Sequence, residues 1–204
     1  IKNPFVIPGI KKWSVDAKLN SNFTFGNYIE GDCNRLARSA GLAIAKKPGL
    51  TSFNPLVLYG DVGLGKTHLA QALGLLACQK GKKVCFVRAN DLTNKLYQAK
   101  ADDSWLKVFN YYSKFDVLIL DDFGLKSLSA EQSTDLYDLI ASIHIKSSLV
   151  ITTNRNTKGM LEVFHDPIMA NAAMDRIISK SYKITLEGES YRKKLIPKVD
   201  KSLN

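Results

Sequence analysis

The chain of 204 residues is poor in cysteine, histidine and acid, and each shortage excludes a class of protein. Its three cysteines, Cys33, Cys78 and Cys85, have neither paired zinc-ligand spacing nor the density of a secreted disulfide scaffold, and read as buried reduced thiols. His144 and His165 show no metal-ligand spacing either. No apolar run approaches the roughly 18 residues that span a bilayer, and the opening IKNPFVIPGIKKW lacks a signal-peptide core, so no membrane partner is expected and the cytoplasm is the default compartment. Internal repeats and low-complexity segments are also missing. The shortage of acid, 19 Asp and Glu against 29 Lys and Arg, leaves a net charge of +10. That balance favours a polyanionic partner such as nucleic acid, with an ordinary solvated basic surface as the alternative.

What is present suffices for one core, since 45% of the residues are apolar and the length suits a single domain. Residues 1–30, with Pro4, Pro8, Gly9 and several asparagines, predict an extended arm lying on the surface of a domain over 31–196, followed by a tail over 197–204. The first residue is Ile1, which leaves room for a preceding region. A helix is expected from Asp32 as N-cap, with Leu36, Ala40, Ala43 and Ile44 on its apolar face, ending at Pro48-Gly49. Short apolar runs then alternate with amphipathic stretches. PLVLY (55–59), VCFV (84–87), VLIL (117–120), LVIT (149–152) and YKITL (182–186) read as strands; Leu69, Leu73, Leu76 and Ala77, or Leu136, Leu139, Ile140 and Ile143, are spaced for helices. This alternation predicts an α/β fold with a five-stranded parallel sheet covered on both faces.

The strongest signal is GDVGLGKT, Gly60 to Thr67, which matches G-x-x-x-x-G-K-[ST] directly after a strand and directly before a helix. Gly60, Gly63 and Gly65 let the backbone N–H groups wrap an anion, with Val62 and Leu64 between them. Lys66 can reach the β- and γ-phosphates of ATP or the β-phosphate of ADP, and the Thr67 hydroxyl can coordinate Mg2+. His68, on the first helical turn beside this nucleotide-binding run, reads as structural rather than catalytic. A second signal is VLILDD, whose Asp121 and Asp122 end a central strand at the sheet edge where ligands bind. Asp121 would hold magnesium through water, and Asp122 would orient or deprotonate the attacking water. Two adjacent buried carboxylates without a cation would be costly. In ITTN, Asn154 is either a turn former, the commoner role of an Asn just after a strand, or a group that aligns water against the γ-phosphate, and the order P-loop, acidic strand end, polar strand end favours the second.

With these residues in view the chain resembles the AAA+ ATPases of bacterial replication initiation: DnaA-type initiators, DnaC-type helicase loaders and IstB-type transposition helpers. FTFGNYIEGDCNRLARSAGLAIA and FNPLVLYGDVGLGKTHLAQALG resemble an initiator, whereas ILDDFG, ITTN, FHDPIMANAAMDRI and GESYRKK resemble loaders and helpers. The short stretch after GESYRKK points to a three-layer P-loop NTPase core of the type without a C-terminal helical lid. The resemblance also implies roles that spacing does not. Arg176 matches the arginine finger that acts on a neighbouring subunit's γ-phosphate. Arg192 matches a second arginine, a sensor in cis or an intersubunit contact. Tyr28 and Ile29 match the segment that packs around the adenine.

An arginine acting in trans implies an ATP-dependent homo-oligomer. Its Lys and Arg residues could track single-stranded DNA, or duplex DNA; Lys95, Lys100, Lys107 and Lys126 are candidates, each equally readable as part of a solvated face. The expected function is ATP binding and slow, assembly-dependent hydrolysis on DNA in replication, with helicase loading preferred. The alternatives are transposition helper and initiator or initiator regulator, so the partner is a replicative helicase, a transposase or an initiator protein. Replacing Lys66 with alanine removes the one mobile cation aimed at the phosphates, and Lys66→Ala is expected to abolish nucleotide binding in equilibrium titrations with a fluorescent ATP analogue.

Overall fold

The computed structural model describes residues 18–143, 147–178 and 181–194. His144, residues 1–17 of the expected arm and the expected tail at 197–204 lie outside the described residues. All five expected strands form one parallel sheet: β1 (Leu56–Gly60), β2 (Val84–Arg88), β3 (Val117–Phe123), β4 (Ser148–Thr153) and β5 (Tyr182–Leu186), in the order β2-β3-β4-β1-β5. The helices are α1 (Arg35–Lys46), α2 (Lys66–Gln79), α3 (Ala89–Ala101), α4 (Trp105–Ser113), α5 (Ala130–Ile143), α6 (Thr157–Leu161), α7 (Pro167–Ile178) and the single turn α8 (Tyr191–Lys194).

Strand order dictates the layering. The chain leaves β1 by α2 for the far edge at β2, then steps back through β3 and β4 to β5. Right-handed crossovers in opposite directions must cover opposite faces. Leu56, Leu58, Val84, Val117, Ile119 and Val150 accordingly pack with α1 and α2, through Ala37, Ile44, Leu69 and Leu73. Val57, Val87, Leu118, Leu120 and Ile151 face the other way, against Leu92 and Leu96 of α3, Leu136 and Ile140 of α5 and Ile177 of α7. Strands buried on both faces explain the continuous apolar runs of the sequence.

The order also brings β1, β4 and β3 side by side, so the loops after them share one edge. Between residues 18 and 30 the chain forms neither helix nor strand, and Leu19 and Phe25 pack on the cluster beneath α1 and α2. Among the described residues no helix is long and apolar enough to cross a membrane.

Three local expectations fail. The residue that starts α1 is Asn34 rather than Asp32: Asn34 is buried, its Oδ1 accepts from Gly31 N at 2.9 Å and its Nδ2 donates to Ile29 O at 3.0 Å. Asp32 instead pairs with Arg35 at 2.8 Å in solvent. Leu36 is 55% exposed because the buried face runs through Ala37, Ala40, Gly41, Ile44 and Ala45, one position round the helix. Of the cysteines only Cys85 is buried, where burial pushes its thiol up to about 11; Cys33 and Cys78 are exposed. Both lie at the margins of α1 and α2, where no sheet covers them.

The Asn34 bonds link the entry segment to the domain. Asn34→Ala removes both bonds and frees their partners to water, and is expected to cost about 1 kcal/mol in urea unfolding. Asp32→Ala, at an exposed site, should stay within about 0.5 kcal/mol of the parent.

Candidate functional site

The loop between β1 and α2 is built around residues that only glycine can be. Gly63 (φ +86°) and Gly65 (φ +82°) lie in the left-handed region. A Cβ on Gly63 would collide with Ser190, and one on Gly65 would press on the Tyr28 ring. The loop is thus enclosed from both sides, by the segment before α1 and by the segment after β5. Tyr191 N also donates to Gly63 O at 3.0 Å.

Lys66 is 7% exposed, and its Nζ donates to Gly60 O and Asp61 O, both at 2.7 Å. Burial pulls its pKa below the ordinary lysine value and nearby Arg192 adds to this, while Asp122, Asp61 and Asp121 oppose it. An ammonium held under these carbonyls at a helix N-terminus is a cation prepared for an anionic ligand.

Across the loop, Thr67 Oγ1 lies 3.0 Å from Asp121 Oδ1 and 3.3 Å from Oδ2. Asp121 is 3% exposed and its carboxyl is held above the ordinary range, chiefly by burial and further by Asp122. Hydrogen bonds from Thr152 and Thr67 and the charge of Arg88 work the other way. A buried carboxylate beside a threonine hydroxyl is an oxygen pair suited to a hard divalent cation, directly or through water, so the donor set fits magnesium.

Asp122 is half-buried with φ +55°, and its N–H donates to Thr152 Oγ1 at 3.0 Å. Asn154 follows β4 at the same sheet edge and is exposed. Lys66, Thr67, Asp121, Asp122 and Asn154 therefore come from three strand ends that the topology sets together.

The remaining candidates are placed differently. Tyr28 is buried, with its hydroxyl pushed up to about 12 by burial, and its ring meets the P-loop at Gly65, whereas Ile29 is 58% exposed. Val62 is exposed and Leu64 is half-buried. His68 Nε2 donates to Thr24 O at 3.0 Å with Asn27 Oδ1 at 3.1 Å, and its ring stacks on Phe23 at 4.7 Å. This anchors the entry segment to α2. Arg192 is exposed on α8, close enough to weigh on the Lys66 ammonium.

Arg176 is not turned to the P-loop. It donates to Ala172 O at 3.1 Å and lies 4.6 Å over the Tyr137 ring, packed between α7 and α5. Lys95, Lys107 and Lys126 are exposed, while Lys100 is engaged by buried Asp135 at 2.9 Å.

Sequence reasoning missed Thr152, Thr153, Arg155 and Ser190. Thr152 donates to Asp121 Oδ1 at 2.6 Å, Thr153 donates to Phe123 O at 2.8 Å, and Arg155 Nε donates to Gly124 O. A usable signal existed for the threonines: hydroxyls in a strand buried on both faces must find partners.

Sheet order, P-loop and paired acids define an AAA+ P-loop domain made to hold a nucleoside triphosphate. The sequence profile of the family described as IstB-like ATP binding protein matches residues 21–198. The chain belongs to that family. It is 37% identical over 182 residues to a putative ATP-binding protein in an insertion sequence of Mycobacterium tuberculosis, covering 89% of this chain and 72% of the relative. It is also 40% identical over 156 residues to the chromosomal replication initiator protein DnaA of Flavobacterium psychrophilum, covering 76% of this chain but only 33% of the initiator's length. Among solved structures, DnaA bound to AMPPCP and single-stranded DNA superposes with a TM-score of 0.73 at 24% identity, over 84% of this chain and 51% of that one. The DnaC helicase loader superposes with a TM-score of 0.66 at 20% identity, over 80% of this chain and 95% of that one. These two likenesses establish the shared fold.

Because the folded-state pKa of Asp121 lies above the unfolded one, ionising it costs stability. Its favourable contribution is whole below the unfolded pKa and is lost as pH rises through the folded pKa. In chelator, Asp121→Asn is expected to melt above the parent at about pH 8, with the gap closing toward about pH 4. Differential scanning calorimetry across that range checks it.

Proposed function

We propose that the chain hydrolyses ATP and uses the nucleotide as an assembly signal on DNA. The pairing of Thr67 with the Asp121 carboxylate beside Lys66 is the observation that carries this reading, since it joins a phosphate cradle to a cation-holding pair. Lys66 and the N–H groups of the loop bind the phosphates. Thr67, and Asp121 through water, would hold magnesium, which when bound would neutralise charge on the transferring phosphoryl group. Asp122 accepts the proton of the attacking water or orients it, and Asn154 aligns that water. Tyr28 and Ile29 pack around the adenine, Val62 and Leu64 belong to the loop that wraps the phosphates, and Arg192 serves as a sensor in cis or an intersubunit contact.

Arg176 completes the set across a subunit boundary. Its half-buried guanidinium rests on Tyr137 of its own chain, a position compatible with service to a neighbour. The net charge of +10 supports a polyanionic partner, and the solved initiator of the same fold is one bound to single-stranded DNA.

Two tasks fit this switch. Helping a transposase at its target DNA is supported by the family match and by the insertion-sequence relative, which aligns over most of both chains. Delivering a replicative helicase fits the fold shared with the DnaC helicase loader, while the motifs ILDDFG and GESYRKK suit both tasks. A helper binds duplex DNA with ATP and retains a transposase in pull-downs; a loader retains a hexameric helicase.

Sedimentation with ATP, ADP and no nucleotide, each with and without single-stranded DNA, tests the switch. Assembly with ATP alone, strengthened by DNA and weakened by salt, is expected. A monomer under every condition would overturn it. Arg176→Ala should retain monomer ATP affinity and lose turnover by about a thousand-fold, as for a group acting only in trans.

A further inference from the structure

We propose that Thr152 is a positioning residue for the acidic pair, holding Asp121 in place for its cation and fixing the backbone turn at Asp122. Thr152 is fully buried. The β3–β4 register runs from Leu120↔Ile151 to Phe123↔Thr153, so Asp121 and Asp122 together oppose the single residue Thr152. This is a bulge, in which one residue is left without a ladder partner and the strand is re-aimed.

Asp122 takes the left-handed conformation that a non-glycine residue adopts only when its surroundings hold it there. The Thr152 hydroxyl supplies the hold. Its proton goes to Asp121 Oδ1 at 2.6 Å, and its lone pair accepts Asp122 N–H at 3.0 Å. A hydroxyl has one proton to give, so the direction of both bonds is settled.

Asp121 therefore receives Thr152 from one side and Thr67 from the other, both on Oδ1. The same strand end pins the next two residues, through Thr153 to Phe123 O and Arg155 to Gly124 O. Asn154 is the residue between these anchors. The edge of β4 thus acts as a clamp on residues 121–124, linking the acids to the strand end that carries Asn154.

The inference rests on the magnesium-dependent ATPase reading, and the test separates the two. Thr152→Val keeps the shape and removes both bonds; Thr152→Ser keeps the hydroxyl. One readout needs neither metal nor nucleotide: hydrogen exchange at the Asp122 amide, followed by NMR. Thr152→Val is expected to lose protection there by about tenfold or more, with Thr152→Ser close to the parent. The other readout is the magnesium concentration that half-saturates ATP turnover, which should rise about tenfold or more in Thr152→Val and return in Thr152→Ser, at unchanged ATP affinity in chelator.

Thr152→Val with parental amide protection and magnesium dependence would overturn the proposal, as would Thr152→Ser behaving like Thr152→Val. If the valine variant does not fold, Thr152→Ala takes its place under the same criteria. A parent chain without magnesium-dependent turnover would sink the ATPase reading, and amide exchange alone would then decide the role of Thr152.

Discussion

The structure depends on keeping one carboxylate, Asp121, inside the protein. Withdrawing an ionisable acid from water is unfavourable unless donors or a cation meet it. Here Thr67 from the start of α2 and Thr152 from β4 both meet it, so a buried acid ties the P-loop helix to two central strands. Elsewhere β1 to β4 are largely apolar on both faces, with Ser148 a buried exception at the start of β4, while the edge strand β5 exposes Tyr182, Lys183 and Thr185. Asp135, also buried, is met by Lys100 and Trp105, whereas Asp121 lies at the sheet edge beside the P-loop, where a divalent cation would offset the cost.

The phosphate loop shows the same economy. Its glycines leave no side chains inside the turn, and the space outside is taken by Tyr28 and Ser190, residues far apart in the chain. His68 fastens the entry segment through Thr24 and Phe23, and Tyr191 fastens the exit segment through Gly63. A change of shape in the loop is therefore felt by both flanks. Arg192 is carried by the exit flank and Ile29 by the entry flank.

Relatives of two kinds overlap along the chain: the initiator alignment covers 76% of it, and the match to the family of IstB-like ATP binding proteins runs over residues 21–198. One fold can serve different partners when its chemistry is confined to one site and the rest of the surface can vary without disturbing it.

Much of this was determined by sequence alone. Short apolar runs place the strands, because a strand buried on both faces takes few polar residues, while the edge strand β5 is marked by alternation instead. GDVGLGKT announces an anion site, because the turn needs left-handed backbone and the chemistry needs a lysine and a hydroxyl in adjacent places. Side-chain register was less legible: Leu36 and Asp32 satisfy the local helix rules as well as Ala37 and Asn34 do, and only the packing of α1 on α2 chose between them. Arg155 and Ser190, and the identity of the groups that Thr152 would meet, were invisible for a stronger reason. Their partners lie some 30 or more residues away in the chain and become neighbours only through the strand order β2-β3-β4-β1-β5 and the bulge at Asp121 and Asp122. Local patterns carry local energies, whereas the alignment of a buried acid is decided by which strand comes to lie beside it.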